Sequence, residues 1–128
     1  MSAAARARGA LHGLAIGDAL GMPTESLPRA AIAERHGALV GGFAAAPADH
    51  PVAAGLPAGS VTDDTGQALI LAQLLIDGAG RVDARALAAR LLAWEGELRA
   101  RGSLDLLGPS TRRADPTPGG LPLPPKWV

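Results

Sequence analysis

Residues 60–78 read SVTDDTGQALILAQLLIDG. Thr62 is a good helix N-cap, and Asp63 and Asp64 in the first turn complement the positive end of a helix dipole. From Thr62 to Asp77 the text is apolar nearly all round, with Gln67 and Gln73 as interruptions. That pattern predicts a helix over 62–77 placed centrally, covered by others on most sides. Gly78-Ala79-Gly80 should stop it.

Downstream, Asp83 reads as the N-cap of a second helix running to about Arg101. Leu87, Leu91, Trp94 and Leu98 recur at three- and four-residue spacing and give it one apolar stripe. Gly108-Pro109 marks a turn, after which Ser110 and Thr111 could cap a helix from about Arg112. Instead the text becomes ADPTPGGLPLPPKWV, residues 114–128, nearly half proline and glycine, which predicts a disordered tail. Upstream, residues 37–59 form a long glycine-, alanine- and proline-rich loop with one short extended piece. Loops of that length are usually functional or disordered. A short helix is expected from Pro28 to about His36, and a longer one over 6–21. The longer one carries glycines at 9, 13, 17 and 21 on roughly one side, a stripe that predicts close approach of another backbone. Pro23 should end this helix, because the residue before a proline avoids the α region.

The chain of 128 residues suits one modest domain that should bury about two-thirds of its unfolded surface. Its core must be aliphatic, since Phe43, Trp94 and Trp127 are the only aromatic residues; this favours helices over a β-sandwich. Twelve acidic and twelve basic side chains cancel, which argues against a broad grip on nucleic acid or anionic membrane. No cysteine is present, so disulfides, thiolate metal sites and cysteine nucleophiles are excluded. His12 and Asp18 interrupt the apolar start, which is far short of a membrane span. The expected location is cytoplasmic.

Two stretches could carry chemistry. Thr62-Asp63-Asp64-Thr65 reads either as a well-capped helix start or as hard oxygen ligands for Mg²⁺, Mn²⁺ or Ca²⁺. Paired carboxylates at a partly desolvated helix mouth are costly unless a cation compensates them. GDALGMPTE, residues 17–25, lacks the spacing of a dinucleotide or phosphate loop. It reads either as a glycine helix with a proline stop and two surface acids, or as a turn that carries Glu25 into a cleft shared with the 62–65 helix start. There Glu25 could act as a base or orient water. His12, His36 and His50 lack metal-ligand spacing and read as solvated or packed residues.

Taken together, GALHGLAIGDALGMPTES, the loop and VTDDTGQALILAQLLI resemble the amino-terminal third of the ADP-ribosylglycohydrolase family, which includes the dinitrogenase reductase-activating glycohydrolase. LLAWEGEL and SLDLLGPSTRRA extend the resemblance to about residue 113. It implies an all-α fold, here the amino-terminal part (residues 6–113) of an orthogonal helical bundle, around two Mg²⁺ or Mn²⁺ ions. It implies hydrolysis of ADP-ribosylated proteins or ADP-ribose-containing small molecules. By motif match, Thr62, Asp63 and Asp64 would be metal ligands, Glu25 the acid near metals and ribose, and Asp105 an aspartate near the substrate. Asp18 would orient the first motif and not act in catalysis. The family's second acidic metal motif has no match here; after Thr111 the only carboxylate side chain is Asp115. That predicts a fragment with an incomplete site, weak or inactive alone, whose apolar helix faces lack partners. A frameshifted or truncated gene would account for residues 114–128. The alternatives are a non-enzymatic binding or structural protein that reuses the fold, as lens crystallins resembling this family do, and a split enzyme with a second chain supplying the missing half.

Overall fold

The computed structural model describes residues 1–37 and 41–102. The Asp105 assignment, the helix expected near Arg112 and the 114–128 tail lie outside them. The described residues form four α-helices and no strand: α1 (Ala3–Gly21), α2 (Arg29–His36), α3 (Asp63–Asp77) and α4 (Ala84–Ala100). The all-α expectation therefore holds. None of these helices is long and apolar enough to cross a membrane. The chain divides into two compact units, Met1–Ala68 and Leu69–Val128, so α3 begins in the first and ends in the second.

In the first unit α1 starts three residues earlier than position 6. Ser2 is its N-cap, with Oγ accepting from the Ala5 N–H at 3.1 Å. At its other end α1 stops at Gly21, as Pro23 leads one to expect. Met22 stays in the right-handed helical region, and the helix tightens into a 3₁₀ turn over Met22–Thr24. The Thr24 hydroxyl and the Glu25 N–H both donate to the Gly21 carbonyl, at 2.9 and 3.1 Å. These bonds satisfy a carbonyl that the helix end would otherwise leave open. Glu25 (φ −57°, ψ 144°) and Ser26 (φ 57°) are then the central pair of a type II turn, closed by the Leu27 N–H on the Thr24 carbonyl at 3.2 Å. Ser26 thus occupies the left-handed position usually given to glycine.

The loop from residue 41 to 59 folds back by turns and contains no extended pairing. Ala46 and Leu56 are joined by a backbone hydrogen bond of 2.9 Å, and Ala46, Ala53 and half-buried Leu56 pack on Met22. An ion pair of 3.5 Å joins Arg35, near the end of α2, to Asp49. Both partners are exposed, so it contributes little.

Two expectations need correction. Where a Cβ would stand at Gly9, Gly13, Gly17 or Gly21, no atom lies within 4 Å, so the glycine stripe is not a backbone-packing seam among the described residues. Nor is α3 central. Thr65 is its one buried residue, while Leu69, Leu71, Leu75 and Ile76 are 40–73% exposed. The apolar pattern is that of a covered helix, but the cover it calls for is not supplied by the described residues. Among the described residues the core is small, with Ala19, Met22, Ala46 and Ala53 as its buried apolar residues.

In the second unit α3 ends as expected. The Gly78 N–H donates to the Leu74 carbonyl at 2.9 Å and the Gly80 N–H to the Leu75 carbonyl at 2.7 Å. Asp83 caps α4 through the Ala86 N–H at 2.8 Å. The predicted stripe of Leu87, Leu91, Trp94 and Leu98 is half-buried. Gly78 is required sterically, because a Cβ there would run into the Arg81 carbonyl oxygen. Gly78→Ala should therefore cost about 1–3 kcal/mol of stability through a forced backbone shift. Urea unfolding followed by circular dichroism measures it; a change below about 0.5 kcal/mol would mean that the turn relaxes freely.

Candidate active site

The beginning of α3 is held by a side chain from α1. Asp18 Oδ2 accepts from the Thr62 N–H at 2.8 Å, from the Thr65 N–H at 3.2 Å and from the Thr65 hydroxyl. Asp18 Oδ1 accepts from the Thr62 hydroxyl at 2.8 Å. One carboxylate thus satisfies two of the orphan N–H groups at a helix start and two hydroxyls, across 44 and 47 residues of sequence. The Thr62 oxygen also accepts a long bond from the Asp64 N–H at 3.4 Å. Thr62 has the local capping place that the sequence gives it, but the charged cap comes from Asp18. Thr62 and Thr65 are both buried.

With Thr62 and Thr65 turned inward to Asp18, the α3 start leaves Asp63 half-buried and Asp64 exposed. Asp63 Oδ2 accepts from Gln67 Nε2 at 2.6 Å, one turn along the helix. A cleft of about 610 Å³ is lined by Gly13, Leu14, Gly17, Asp18, Gly21 and Met22 of α1 and its 3₁₀ turn, together with Glu25 and Asp64. Three of the four stripe glycines therefore form a wall without side chains. Glu25 and Asp64 meet at this cleft, as the sequence leads one to expect, and Thr62 and Asp63 stand beside it.

The electrostatics follow from this crowding. Burial, then Asp63, and further Asp64 and Asp18, push the Glu25 carboxyl up; His50 acts in the opposite sense. Burial, then Asp64 and Asp18, push Asp63 up, against the Gln67 hydrogen bond. For Asp18, burial alone would raise the value, but the Thr65 and Thr62 hydrogen bonds together outweigh it and hold the carboxyl low. Asp18 is thus a committed anion in a structural role, whereas Glu25 and Asp63 are carboxylates under mutual repulsion.

All the donors here are oxygens, the chemistry of hard divalent cations, and a cation would relieve that repulsion. Among the described residues, however, no group of three His, Asp or Glu side chains is arranged to hold one ion. Such a cation wants about six ligands. The donor chemistry is that of hard-cation ligands, but the described residues do not by themselves form a cation site.

The family model described as ADP-ribosylglycohydrolase matches residues 1–118, nearly the whole chain. The chain belongs to the ADP-ribosylglycohydrolase family. Among curated ADP-ribosylglycohydrolase-like relatives, it is similar to the ADP-ribosylarginine hydrolase Tri1 of Serratia proteamaculans (strain 568), 39% identical over 113 residues, and to that of Pseudomonas putida (strain GB-1), 40% identical over 111 residues. In both cases the match covers 85% of this chain and 27% of the relative. It is also similar to the uncharacterised protein YegU of Escherichia coli (strain K12), 34% identical over 109 residues, covering 85% of this chain and 32% of that protein. The chain therefore spans about a third or less of the length of these relatives. No solved structure gives a significant match.

Asp18, expected to orient the first motif, fastens the start of α3. Its signal was the aspartate inside the glycine helix, on the side where Gly17 and Gly21 leave room.

Proposed function

We propose that this chain supplies the amino-terminal acidic wall of a metal-dependent ADP-ribosylglycohydrolase acting on ADP-ribosylated protein side chains, with arginine the first linkage to test. One observation carries the reading: the Asp18 lock sets the α3 start so that Asp64 and Glu25 border one cleft and repel each other. The two ADP-ribosylarginine hydrolases among its relatives supply the substrate class.

On this reading Thr62, Asp63 and Asp64 offer oxygens to Mg²⁺ or Mn²⁺, and the remaining ligands come from outside the described residues. When bound, the ion supplies a Lewis acid for ribose oxygens and water. Glu25, its carboxyl raised by burial and by Asp63, takes a proton from the water that attacks the anomeric carbon. Glycosidic cleavage passes through an oxocarbenium-like state, which nearby carboxylates stabilise. The glycine wall allows a flat or bulky group to lie against the α1 backbone.

The test is release of ADP-ribose from an ADP-ribosylated arginine substrate, with and without Mn²⁺. The expected result is Mn²⁺-dependent release, weak for this chain by itself, that is lost in Asp64→Asn. No release by folded protein, with no change of unfolding midpoint at millimolar Mn²⁺, would sink the reading. The exposed apolar residues of α3 favour a second reading within it, in which a further polypeptide segment covers α3 and completes the cation site. The alternative of a binding protein without catalysis predicts ADP-ribose binding with no release.

A further inference from the structure

The loop from Ala46 to Leu56 is closed by the Ala46 N–H on the Leu56 carbonyl at 2.9 Å. His50, within it, is 3% exposed. The Pro47 carbonyl accepts from the His50 and Gly55 N–H groups at 3.0 and 3.3 Å. The His50 ring supplies the other brace. Its Nδ1 accepts from the Val52 N–H at 3.3 Å and from the Ala53 N–H at 2.8 Å. A ring nitrogen that accepts hydrogen bonds carries no proton, so the one proton of the neutral ring is on Nε2. Nε2 is buried without a hydrogen-bond partner among the described residues, a cost that the closed loop already bears. A second proton can go only to Nδ1, where it removes the acceptor of both N–H groups at once. Ala53, held by the shorter of these bonds, packs with Ala46 on Met22, and Met22 lines the cleft.

We propose that the 46–56 loop is an acid-released strap on the cleft wall: neutral His50 braces it against Met22, and a proton on Nδ1 lets it open. The inference goes beyond the hydrolase reading and does not rest on it. Histidine side chains in water take up a proton below about pH 6.5. The opened loop exposes its ring to that equilibrium, whereas the closed loop takes up no proton at Nδ1 without losing its brace. The ratio of open to closed loop therefore rises about tenfold for each pH unit below that point. The charged groups around the loop do not reverse this. Arg35 of α2 is paired with Asp49 in an exposed contact of 3.5 Å. Glu25, just past Thr24, attracts a charged ring through space but gives Val52 and Ala53 no acceptor. Any pull it exerts favours the proton and hence the release.

Amide hydrogen exchange of the full chain at about pH 7.5 and about pH 5.5, corrected for the intrinsic rate, reads the opening. Protection of the Val52 and Ala53 N–H groups should fall about tenfold between the two, while amides within α1 keep or gain protection. His50→Asn is the companion variant. Its side-chain oxygen can accept from both N–H groups in place of Nδ1 but takes up no proton, so its loop protection should not change with pH. Nitrogen-15 histidine spectra of the parent chain give a second readout. The His50 Nδ1 should be unprotonated at about pH 7.5 and gain its proton as the Val52 and Ala53 protection is lost. Four results would each overturn the proposal: equal loop protection at the two pH values in the parent, a fall shared by α1, the same fall in His50→Asn, or an Nδ1–H ring at about pH 7.5. The spectra use the parent chain alone, so they decide the matter even where the variant does not fold.

Discussion

Asp18→Ala should lower the unfolding free energy by about 2–4 kcal/mol, the largest loss expected from any single side chain described. The carboxylate accepts from two backbone N–H groups and two hydroxyls, all on Thr62 and Thr65, which are each 5% exposed. Its removal leaves buried donors without acceptors, which costs more than the hydrogen bonds themselves are worth. It also takes a negative charge from the positive end of α3. With so small a core, this is a large share of any plausible total stability. Asp18→Asn should recover only part, because an amide nitrogen cannot accept from the Thr donors. Asp77→Ala, which loses one exposed contact with Gln73, is the control and should cost under about 0.5 kcal/mol.

The same lock sets the acid limb of the stability profile. The Asp18 carboxyl is held below its ordinary value in the folded chain. Its contribution is therefore present in full above the unfolded value, near 4, and lost as pH falls through the lower folded value. Glu25 and Asp63 have the opposite sign. Their folded values are raised, so stability rises as pH falls from neutral and these two take up protons. Urea midpoints should climb on mild acidification and then drop below about pH 4. In Asp18→Ala the climb should remain and the steep drop should shrink. A midpoint for Asp18→Ala within about 0.5 kcal/mol of the parent would mean that Thr62 and Thr65 find other partners at no cost.

Glu25→Gln should separate stability from function. In the absence of cation and at neutral pH, the variant should be slightly more stable, by less than about 1 kcal/mol once solvent screening is allowed for. It removes a charge that burial, Asp63 and Asp64 all disfavour. It should also flatten the climb on acidification, since one of the two protons responsible has gone. ADP-ribose release, by contrast, should fall by about 10²–10⁴-fold, the usual contribution of a positioned general base. A group that destabilises the empty cleft yet is needed for turnover is a group kept for chemistry. Unchanged rates in Glu25→Gln would remove Glu25 from the reaction, and lower stability would show that the carboxylate is bound by something that stabilises it. Denaturation curves taken beside initial rates decide both points.

Several of these features could be read along the chain. The α3 and α4 patterns, the Gly78–Gly80 stop and the Asp83 cap rest on local rules: helical periodicity and capping chemistry. The misreadings share one cause. Pro23 does end α1, which stops at Gly21, but Met22, packed with Ala46 and Ala53, keeps a right-handed helical conformation that a residue before proline usually avoids. The glycines of α1 looked like a packing seam because glycine in a helix is costly without a return. In the fold, Gly13, Gly17 and Gly21 border a cleft instead. His50, read as a packed or solvated histidine, is packed, with the Val52 and Ala53 N–H groups donating to Nδ1.

By itself the sequence determined the helices, their caps and the kind of oxygen donors available, because each depends on residues within a turn or two of one another. The tertiary structure alone decided that an aspartate in the first helix would fasten the third. It thereby decided which of the acids at that helix start are spent on the fold and which remain free to act. Contacts across more than forty residues leave no periodic trace in a single chain; they appear only when packing brings a donor and an acceptor together.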